Sequence, residues 1–466
     1  MRADRLELDR EEMRRLGYRA VDMLVEEWTG LSQKPVGRKA GREELMAALQ
    51  EPPPREGAPP EVVFERLARD VFPNLLRIHH PRFFAFVPGP SNFAAAVGDF
   101  LAAGHNVFAG NWLSGSAASA MELVVTGWLR DLCGLAPGAE GLFVSGGSVA
   151  NLTGLAVARH AMLGNRLEGA VAYLSEQTHS SVERALRILG LLPEQIRRLG
   201  VNDHFQLSIH DLRAAVAADR AEGKRPFCVV GNAGAVNTGA VDPLNELADF
   251  CEAEDLWLHV DGAFGAAAAI SERGRRELKG LDRADSLSLD PHKWLFQPYE
   301  AGCVFVRQGS LLKETFRITA EYLRDVHRPS EEVHFCDRGV QLTRGFRSLK
   351  VWLTFQIFGL DAIQRAVERG FELADYGEER LRGMPEFELV TSAKMAVVTF
   401  RRRGLSEQAY LEVVARMLED GYAFLTSTVI RGKAALRLCT INPRTTKEDI
   451  DFTLDRLSRI CSELLR

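Results

Sequence analysis

The sequence predicts an α/β protein with a mostly parallel central sheet, for three reasons. Between residues 141 and 310, short apolar runs alternate with segments of helical character, which is typical of parallel sheets covered by helices on both faces. Glycine-rich and polar motifs follow several of these runs, at the strand ends where open α/β sheets bind ligands. The chain has 466 residues, 46% of them hydrophobic, and is long enough for a large core with smaller attached domains.

The composition argues against several other classes of protein. The 58 Lys and Arg residues against 63 Asp and Glu give a net charge of −5, and no basic stripe is interleaved with aromatic residues, so we expect no nucleic-acid partner. The charged first residues lack an apolar signal segment and no run is apolar enough to span a bilayer, so we expect no membrane role. The seven cysteines are scattered without a CxxC pair, which favours reduced thiols, a cytoplasmic location and no metal site.

An amphipathic helix is predicted over residues 9–31. Its apolar residues recur at helical spacing and form a stripe wide enough to need a partner surface, either within the subunit or on another subunit. These residues are Met13, Leu16, Ala20, Val21, Leu24 and Trp28. The proline-rich residues 51–60 predict an irregular linker. We therefore expect a helical segment over residues 1–80.

A large α/β domain is predicted over residues 81–370. It begins in a stretch, residues 80–90, that is rich in aromatic side chains but interrupted by prolines, so that it cannot form a regular central strand. Such a stretch either packs into a core or forms the wall of a pocket. The strands are predicted from the apolar runs at 141–144, 170–173, 227–230, 256–260, 286–289 and 302–306.

A small α/β domain is predicted over residues 371–466. Helical patterns over residues 405–420 and 447–465 alternate there with strand-like runs at 396–401 and 435–440.

Lys293 is the strongest candidate for a reactive side chain. It follows the alternating run 285–290, with Pro291 and His292 directly before it, which indicates an amine held on a fixed turn at a strand end. A free lysine amine has a pKa of ~10.4, so a reactive one needs an enclosed site that favours the neutral amine or traps it covalently. On its own, a lysine at a strand end is more commonly an ordinary surface residue.

The presence of Asp261 favours a reactive role for Lys293. It ends the apolar run 256–260, and a carboxylate in that position is costly unless it meets a positive partner. The small residues at 262–266 leave room for a flat group near the backbone. A protonated pyridine ring is one partner that satisfies both observations.

The turn at residues 144–151 is a candidate phosphate site. It contains Gly147 and Ser148 and leads into the helical residues 152–159, where free backbone N–H groups and the helix dipole favour an anion. Alone this is weak evidence, because the same residues also form ordinary turns with a capping serine. Pyridoxal phosphate needs a lysine, a carboxylate and a donor-rich turn, and the chain offers all three.

Four motifs resemble the group II pyridoxal-phosphate-dependent amino-acid decarboxylases, and most of all the aromatic-L-amino-acid decarboxylases. They lie at residues 175–185, 259–261, 290–294 and 346–350, in the order that the family shows, and the resemblance covers most of the chain. It implies a fold-type I, aspartate-aminotransferase-like enzyme that binds pyridoxal 5'-phosphate. It also implies a homodimer in which the N-terminal helices pack across the subunits and the active sites lie at the interface.

The resemblance assigns roles to the cofactor-binding residues. Lys293 would attach the cofactor, Asp261 would pair with its ring nitrogen, and His179 would stack on its ring. The remaining contacts implied by the family motifs fall on Gly147, Ser148, Ala263, Asp290 and His292. Animal members have an asparagine at the position of Asp290, and a carboxylate beside phosphate is repulsive unless it is protonated or turned away. In the loop over residues 232–243, Ala235 and Val236 replace the threonines of the family and leave Thr238 as the nearest hydroxyl.

The resemblance also assigns the substrate side. An apolar wall would consist of Ile78, Phe86, Val87, Pro88 and Phe108, with Thr343 at a position that tunes ring-size preference but fits neither pattern found in relatives. Tyr322 matches the loop tyrosine that donates a proton after carbon dioxide leaves, whereas relatives with phenylalanine there tend to form aldehydes.

The expected function is decarboxylation of an L-amino acid, with an aromatic one favoured, to the primary amine and carbon dioxide. The alternatives are a decarboxylase of glutamate or of a diamino acid, an aldehyde-forming decarboxylase-deaminase, and a non-enzymatic regulatory module that binds the cofactor.

Overall fold

A computed structural model describes residues 6–164, 166–318 and 332–466. The larger of its two sheets has seven strands. In chain order these are β1 (Glu140–Val144), β2 (Ala170–Ser175), β3 (Ile196–Leu199), β4 (Arg225–Asn232), β5 (Trp257–Asp261), β6 (Ser286–Leu289) and β7 (Gly302–Val306). Their order across the sheet is β1-β7-β6-β5-β4-β2-β3.

The strand directions bring several loops to one edge of this sheet. Strands β2 to β6 are mutually parallel, and β7 runs antiparallel to both of its neighbours, β1 and β6. The carboxyl ends of β1, β2, β4, β5 and β6 therefore lie at the same edge, and the prediction of a mostly parallel α/β sheet is confirmed. The six predicted strands are all present, with ends that differ by one or two residues. The seventh, β3, was missed because its half-exposed sequence contains two arginines and no apolar run.

Fifteen α-helices are found among the described residues. They are α1 (Arg10–Thr29), α2 (Arg42–Leu49), α3 (Pro60–Arg66), α4 (Phe93–His105), α5 (Trp112–Leu132), α6 (Gly147–Leu163), α7 (Ser180–Ile188), α8 (Ile209–Ala221), α9 (Leu244–Ala253), α10 (Glu272–Glu277), α11 (Ser310–Phe316), α12 (Ser348–Phe358), α13 (Leu360–Arg382), α14 (Ala409–Asp420) and α15 (Lys447–Glu463).

Two hydrophobic cores cover the two faces of the large sheet. Neighbouring residues of a strand point to opposite faces, so Phe143 of β1 packs in one core while Leu142 and Val144 pack in the other. Helices α6, α7 and α11 cover the second face, whereas α5, α9, α12 and α13 cover the first. This arrangement buries the central strands on both sides and leaves their carboxyl ends free to form a site.

The N-terminal helix α1 begins with a full capping box. The Asp9 carboxylate accepts the N–H of Glu12, and the Glu12 carboxylate accepts the N–H of Asp9. No residue of α1 is buried, although the helix carries a row of apolar side chains. Residues 51–59 contain no helix or strand, as their prolines predict, and α3 then begins with Pro60 in its first turn.

The C-terminal region forms a second sheet, which is antiparallel throughout. Its strands are β8 (Phe387–Lys394), β9 (Val397–Arg402), β10 (Thr426–Ile430) and β11 (Lys433–Cys439), in the order β10-β11-β9-β8. Strands β8 and β10 were not predicted, because they are partly exposed and carry polar residues between the apolar ones.

The C-terminal region shares a core with the large sheet. One continuous cluster of buried side chains runs from Leu287 of β6 through Phe371 of α13 to Leu438 of β11. The predicted domain limit between residues 370 and 371 falls inside α13, so a continuous helix, and not a linker, connects the two regions. No helix among the described residues is long and apolar enough to cross a membrane.

A buried ion pair attaches the residues before α12 to the large sheet. The Arg344 guanidinium donates to both carboxylate oxygens of Glu122 on α5, at 2.5 and 3.1 Å. It also donates to the carbonyl oxygens of Ala109 and Phe143, while Glu122 accepts the N–H of Phe143 at 2.8 Å. Both charged side chains are 1% exposed, so each depends on the other for solvation.

Replacing Arg344 by methionine is expected to lower the free energy of unfolding by about 3–5 kcal/mol, because it leaves the Glu122 carboxylate buried without its counter-charge. Denaturant titration followed by circular dichroism would measure the change. Arg276→Met is the matched control. Arg276 pairs with Glu272 at 2.9 Å on the surface, where such a pair contributes about 0–1 kcal/mol. Equal midpoints for the two variants would contradict the importance of the buried pair.

Candidate active site

A cavity of about 390 Å³ lies at the carboxyl edge of the large sheet. Its walls come from the loops that follow β1, β2, β4, β5 and β6, as the topology requires. All of the predicted cofactor-binding residues line it. They are Gly147, Ser148, His179, Asp261, Ala263, Asp290, His292 and Lys293. The structure therefore brings together side chains that are spread over nearly 150 positions of the sequence.

Lys293 reaches this cavity from a tight turn after β6. Its N–H donates to the carbonyl oxygen of Asp290 at 3.0 Å, and its Nζ lies 3.2 Å from Asp290 Oδ2. Burial lowers the pKa of the Lys293 amine, but the carboxylates of Asp290 and Asp261 raise it, and the net change is upward. The amine is therefore held as a cation while Asp290 is its partner.

Asp261 ends β5 with its carboxylate in a ring of donors. Oδ1 accepts the Ser288 hydroxyl at 3.1 Å and the N–H of Ala263 at 3.2 Å, and Oδ2 accepts the Asn151 amide at 3.1 Å. The residue is 8% exposed. Three donors fix the orientation of a buried carboxylate without neutralising it, which suits a partner with a positive charge.

His179 precedes α7 and presents its ring to the cavity. Its Nδ1 accepts the N–H of Ser181 at 3.2 Å and lies 2.8 Å from the Ser181 hydroxyl. Burial lowers the pKa of His179, so the ring is neutral at neutral pH. Because Nδ1 accepts, the ring proton is on Nε2.

The start of α6 provides a concave backbone surface. No side chain caps this helix, so its first N–H groups are open to a ligand. A Cβ atom on Gly147 would lie 2.9 Å from both Asp290 Oδ2 and the Ala263 Cβ, and one on Gly302 would lie 2.4 Å from the Cα of Gly146. Only glycine allows these close approaches, which bring the start of α6 against Asp290, Ala263 and the backbone of β7.

Asp290 is the side chain that fits an anion least well. It is 1% exposed, and its Oδ1 has no hydrogen-bond partner among the described residues. Its Oδ2 contacts Lys293 and lies 3.5 Å from His292 Nε2, and burial lowers the pKa of His292. The position predicted from the sequence is thus inside the site, where its carboxylate is paired with the Lys293 amine.

These side chains fit pyridoxal phosphate. The cavity offers an amine for the aldehyde, a carboxylate for the ring nitrogen, an imidazole for the ring face and a helix start for the phosphate. In the loop after β4, Ala235 and Val236 line the cavity without hydroxyl groups, whereas Thr238 does not line it and accepts the N–H of Ala240. Ala235 and Val236 therefore offer a cofactor no side-chain hydrogen bond.

The predicted substrate-binding residues are not gathered at this cavity within one chain. Phe86 and Thr343 are exposed, Val87 and Pro88 are buried, and Ile78 packs beside Phe83. The partly buried Phe108 contacts Gly110 and does not line the cavity either. Tyr322 lies outside the described residues.

Several residues at the site were missed by the sequence reasoning. Tyr299 and Glu300 line the cavity from the loop after Lys293, and the Tyr299 ring lies 4.7 Å from the His292 ring. Gln177 and Ser181 line it near His179. The sequence signal for these residues was their closeness to predicted site residues, which is too common to single them out.

Comparison with known proteins agrees with this geometry. Residues 43–403 match the family model described as the pyridoxal-dependent decarboxylase conserved domain. The chain is 44% identical over 470 residues to aromatic-L-amino-acid decarboxylase of Bacillus atrophaeus, which covers 99% of this chain and 98% of that protein.

Two solved structures share the fold over nearly the whole chain. The crystal structure of Oryza sativa TDC with PLP and tryptamine has a TM-score of 0.93 at 28% identity and covers 98% of this chain and 99% of that one. Rhodiola rosea 4-hydroxyphenylacetaldehyde synthase has a TM-score of 0.91 at 26% identity, with 98% and 100% covered.

Asp290→Asn is expected to lower the pKa of the Lys293 amine, because it removes the carboxylate in contact with the amine. Trinitrobenzenesulfonate reacts only with neutral amines, so modification of Lys293 would reach its midpoint at lower pH, as measured by peptide mass spectrometry on protein stripped of small molecules. Asp375→Asn is the control, since Asp375 pairs with Arg273 at the surface. An unchanged midpoint in Asp290→Asn would show that this carboxylate does not govern the amine.

Proposed function

The chain belongs to the pyridoxal-dependent decarboxylase family, and on this basis we propose how its side chains decarboxylate an aromatic L-amino acid. It is a pyridoxal-phosphate-dependent amino-acid decarboxylase, a carboxy-lyase that releases carbon dioxide and a primary amine. The observation that supports an aromatic substrate is the similarity to the Bacillus aromatic-L-amino-acid decarboxylase over nearly the full length of both chains.

The residues proposed to hold the cofactor all line the cavity. Lys293 would attach it through Nζ, and Gly147 and Ser148 at the start of α6 would bind its phosphate. Asp261 would pair with the ring nitrogen, and His179 would lie against the ring face. Ala263, Asp290 and His292 complete the walls around it.

Pyridoxal phosphate, when bound, supplies a positively charged ring that accepts the electron pair of the bond to the leaving carboxylate. The protein contributes orientation and protons. Asp261, fixed by its three donors, keeps a proton at the ring nitrogen. His179, neutral and with its proton on Nε2, orients groups in the cavity as a hydrogen-bond donor. Tyr322, outside the described residues, is proposed to protonate the carbon after carbon dioxide leaves.

The charges around the cavity favour an uncharged substrate side chain. No arginine lines the cavity among the described residues, so the side-chain carboxylate of glutamate would find no guanidinium counter-charge there. Arg347 donates to Glu300 at 2.7 Å, so the Glu300 charge is already paired and is a poor site for a diamino acid. The aldehyde-forming alternative differs in its product, and Tyr322 favours the amine.

We further propose that the enzyme is a homodimer with its active sites at the interface. Helix α1 exposes an apolar face without a buried residue, in which Met13, Val21 and Leu24 are 56%, 38% and 47% exposed. An exposed face of this kind fits a second copy of the chain better than it fits water. The apolar wall predicted from Ile78 to Phe108 would then reach the cavity of the other subunit. All seven cysteines are buried and unpaired, which supports a reducing, cytoplasmic location.

Lys293→Ala is expected to abolish both carbon dioxide release and the yellow absorbance of covalently attached cofactor. The parent enzyme, screened with aromatic, acidic and basic amino acids, is expected to release carbon dioxide and amine in equal amounts from the aromatic ones. Lys394→Ala, at a surface lysine that pairs with Glu277, serves as the control and should retain both signals. Aldehyde and ammonia in place of the amine would overturn the proposed reaction, and bound cofactor without turnover would indicate a regulatory module.

Leu24→Glu is expected to convert the dimer to a monomer in sedimentation velocity, because it places a charge on the apolar face of α1. Asp22→Lys reverses a charge on the opposite face of the same helix and should leave the dimer intact. A parent protein that sediments as a monomer, or a Leu24→Glu variant that remains a dimer, would contradict the proposed interface.

A further inference from the structure

A chain of buried hydrogen bonds begins behind the active site, at the indole of Trp257. Its Nε1 donates to the Ser286 hydroxyl at 2.8 Å, and that hydroxyl lies 2.8 Å from Nδ1 of His259. Trp257 and Ser286 lie on the adjacent strands β5 and β6 and are buried. None of these three residues lines the cavity, so the mechanism described above does not use them.

The indole sets the direction of the chain. It can only donate, so the Ser286 oxygen accepts from it and the Ser286 hydrogen is given to His259 Nδ1. Burial lowers the pKa of His259 to about 4, so the ring carries a single proton at neutral pH. That proton must be on Nε2, which donates to Asn151 Oδ1 at 3.0 Å.

Asn151 divides the chain into two branches. Its carbonyl oxygen is occupied by His259, so its two amide hydrogens are directed elsewhere. One is donated to Asp261 Oδ2 at 3.1 Å and the other to the Ser181 hydroxyl at 3.0 Å. Ser181 then gives its own hydrogen to His179 Nδ1. The branches therefore end at Asp261 and His179, the acid and the imidazole for which contacts with the cofactor ring are proposed.

The backbone is packed to make room for this network. Asn151 is 0% exposed on α6, which lies against β5 and β6. A Cβ atom on Gly154, one turn later, would lie 2.9 Å from His259 Cε1 and 3.2 Å from the Ser286 hydroxyl. Glycine at this position lets the helix approach closely enough for Asn151 to reach His259.

We propose that Asn151 is a positioning residue that couples Asp261 to His179, in an orientation set by the Trp257 indole. The inference rests on the cofactor-contacting roles proposed for Asp261 and His179. With the amide flipped, its oxygen would face the Asp261 carboxylate and its nitrogen would face the Nε2–H of His259, so both contacts would become repulsive. The network thus holds the acid as an acceptor and the imidazole as the Nε2–H form before a substrate arrives.

The decisive variant is Asn151→Asp, which keeps the size of the side chain and the oxygen that accepts from His259. It replaces both donated N–H groups by an acceptor, which places two carboxylates in contact. The expected result is a weakening of pyridoxal phosphate binding by about tenfold to a hundredfold at neutral pH, since one hydrogen bond to a charged group is lost. The readouts are the dissociation constant and the pH midpoint of the bound cofactor's absorbance, both measured on the dimeric protein.

The defect is expected to lessen as the pH falls. The titratable groups in contact with position 151 are Asp261 and His259, and beside the Asp261 carboxylate the new acid binds a proton more readily than an isolated aspartate. Once protonated, the new carboxyl group can again donate to Asp261, so part of the affinity returns in mildly acidic buffer. A loss of packing alone would not recover in this way.

Trp257→Phe provides a second test far from the cavity. It keeps an aromatic ring of similar size but removes the N–H that orients Ser286, so it should weaken pyridoxal phosphate binding as Asn151→Asp does, but by less. This variant also covers the case in which Asn151→Asp fails to fold.

Asn442→Asp is the matched control. Asn442 is 1% exposed and its amide donates to the carbonyl oxygens of His79 and His80, so the change is equally disruptive but lies away from the cofactor. It should lower thermal stability while the folded protein keeps the parent affinity and absorbance midpoint.

Two outcomes separate failure of this inference from failure of the proposed function. If the parent protein binds pyridoxal phosphate and decarboxylates, but Asn151→Asp and Trp257→Phe match it in affinity and midpoint, the coupling is wrong and the function stands. If the parent protein binds no cofactor, the proposed function itself is wrong and the inference falls with it.

Discussion

The buried carboxylate of Asp261 is the constraint on which the rest of the site depends. A negative charge at the end of a central strand is stable only if donors surround it and a positive group meets it. Ser288, Ala263 and Asn151 are those donors, and they come from β6, from the turn after β5 and from α6. The positions of α6 and β6 relative to β5 are therefore coupled to the orientation of one carboxylate, for which the proposed counter-charge is the cofactor ring.

The same packing brings the start of α6 beside Lys293. Gly302 packs so closely against Gly146 that a Cβ atom on Gly302 would clash with it, and Gly147 lies directly against Asp290 and Ala263. The helix start and the amine thus face each other across a single cavity. A neutral side chain in place of Asp290 would suit a phosphate better, and the Lys293 cation is the group that balances this carboxylate.

The residues predicted to form a wall for the substrate do not line the cavity within one chain. Residues 80–90 contain both buried and exposed aromatic side chains. Phe83 and Phe84 are buried, and backbone hydrogen bonds join this stretch to the C-terminal region, while Phe86 projects into solvent. The Arg344–Glu122 pair similarly anchors the residues before α12 next to β1, which places Thr343 on the surface. Surfaces that are rigidly supported, apolar and exposed are suited to a second subunit.

The sequence by itself determined the chemistry and the architecture. Apolar runs predicted six strands of the large sheet, and Lys293, Asp261 and Gly147 were recognisable because each stands at a strand end or a helix start where its type has a specific use. The half-exposed β3, β8 and β10 were missed, since edge strands lack a continuous apolar run. Only the tertiary structure decided the hydrogen-bond network through Asn151 and the location of the predicted substrate wall. Asn151 and Asp261 are 110 residues apart in the sequence. Whether they form a hydrogen bond depends on how closely α6 packs on the sheet, and a change of about a few tenths of an ångström in that packing decides it. No local sequence pattern encodes so small a difference.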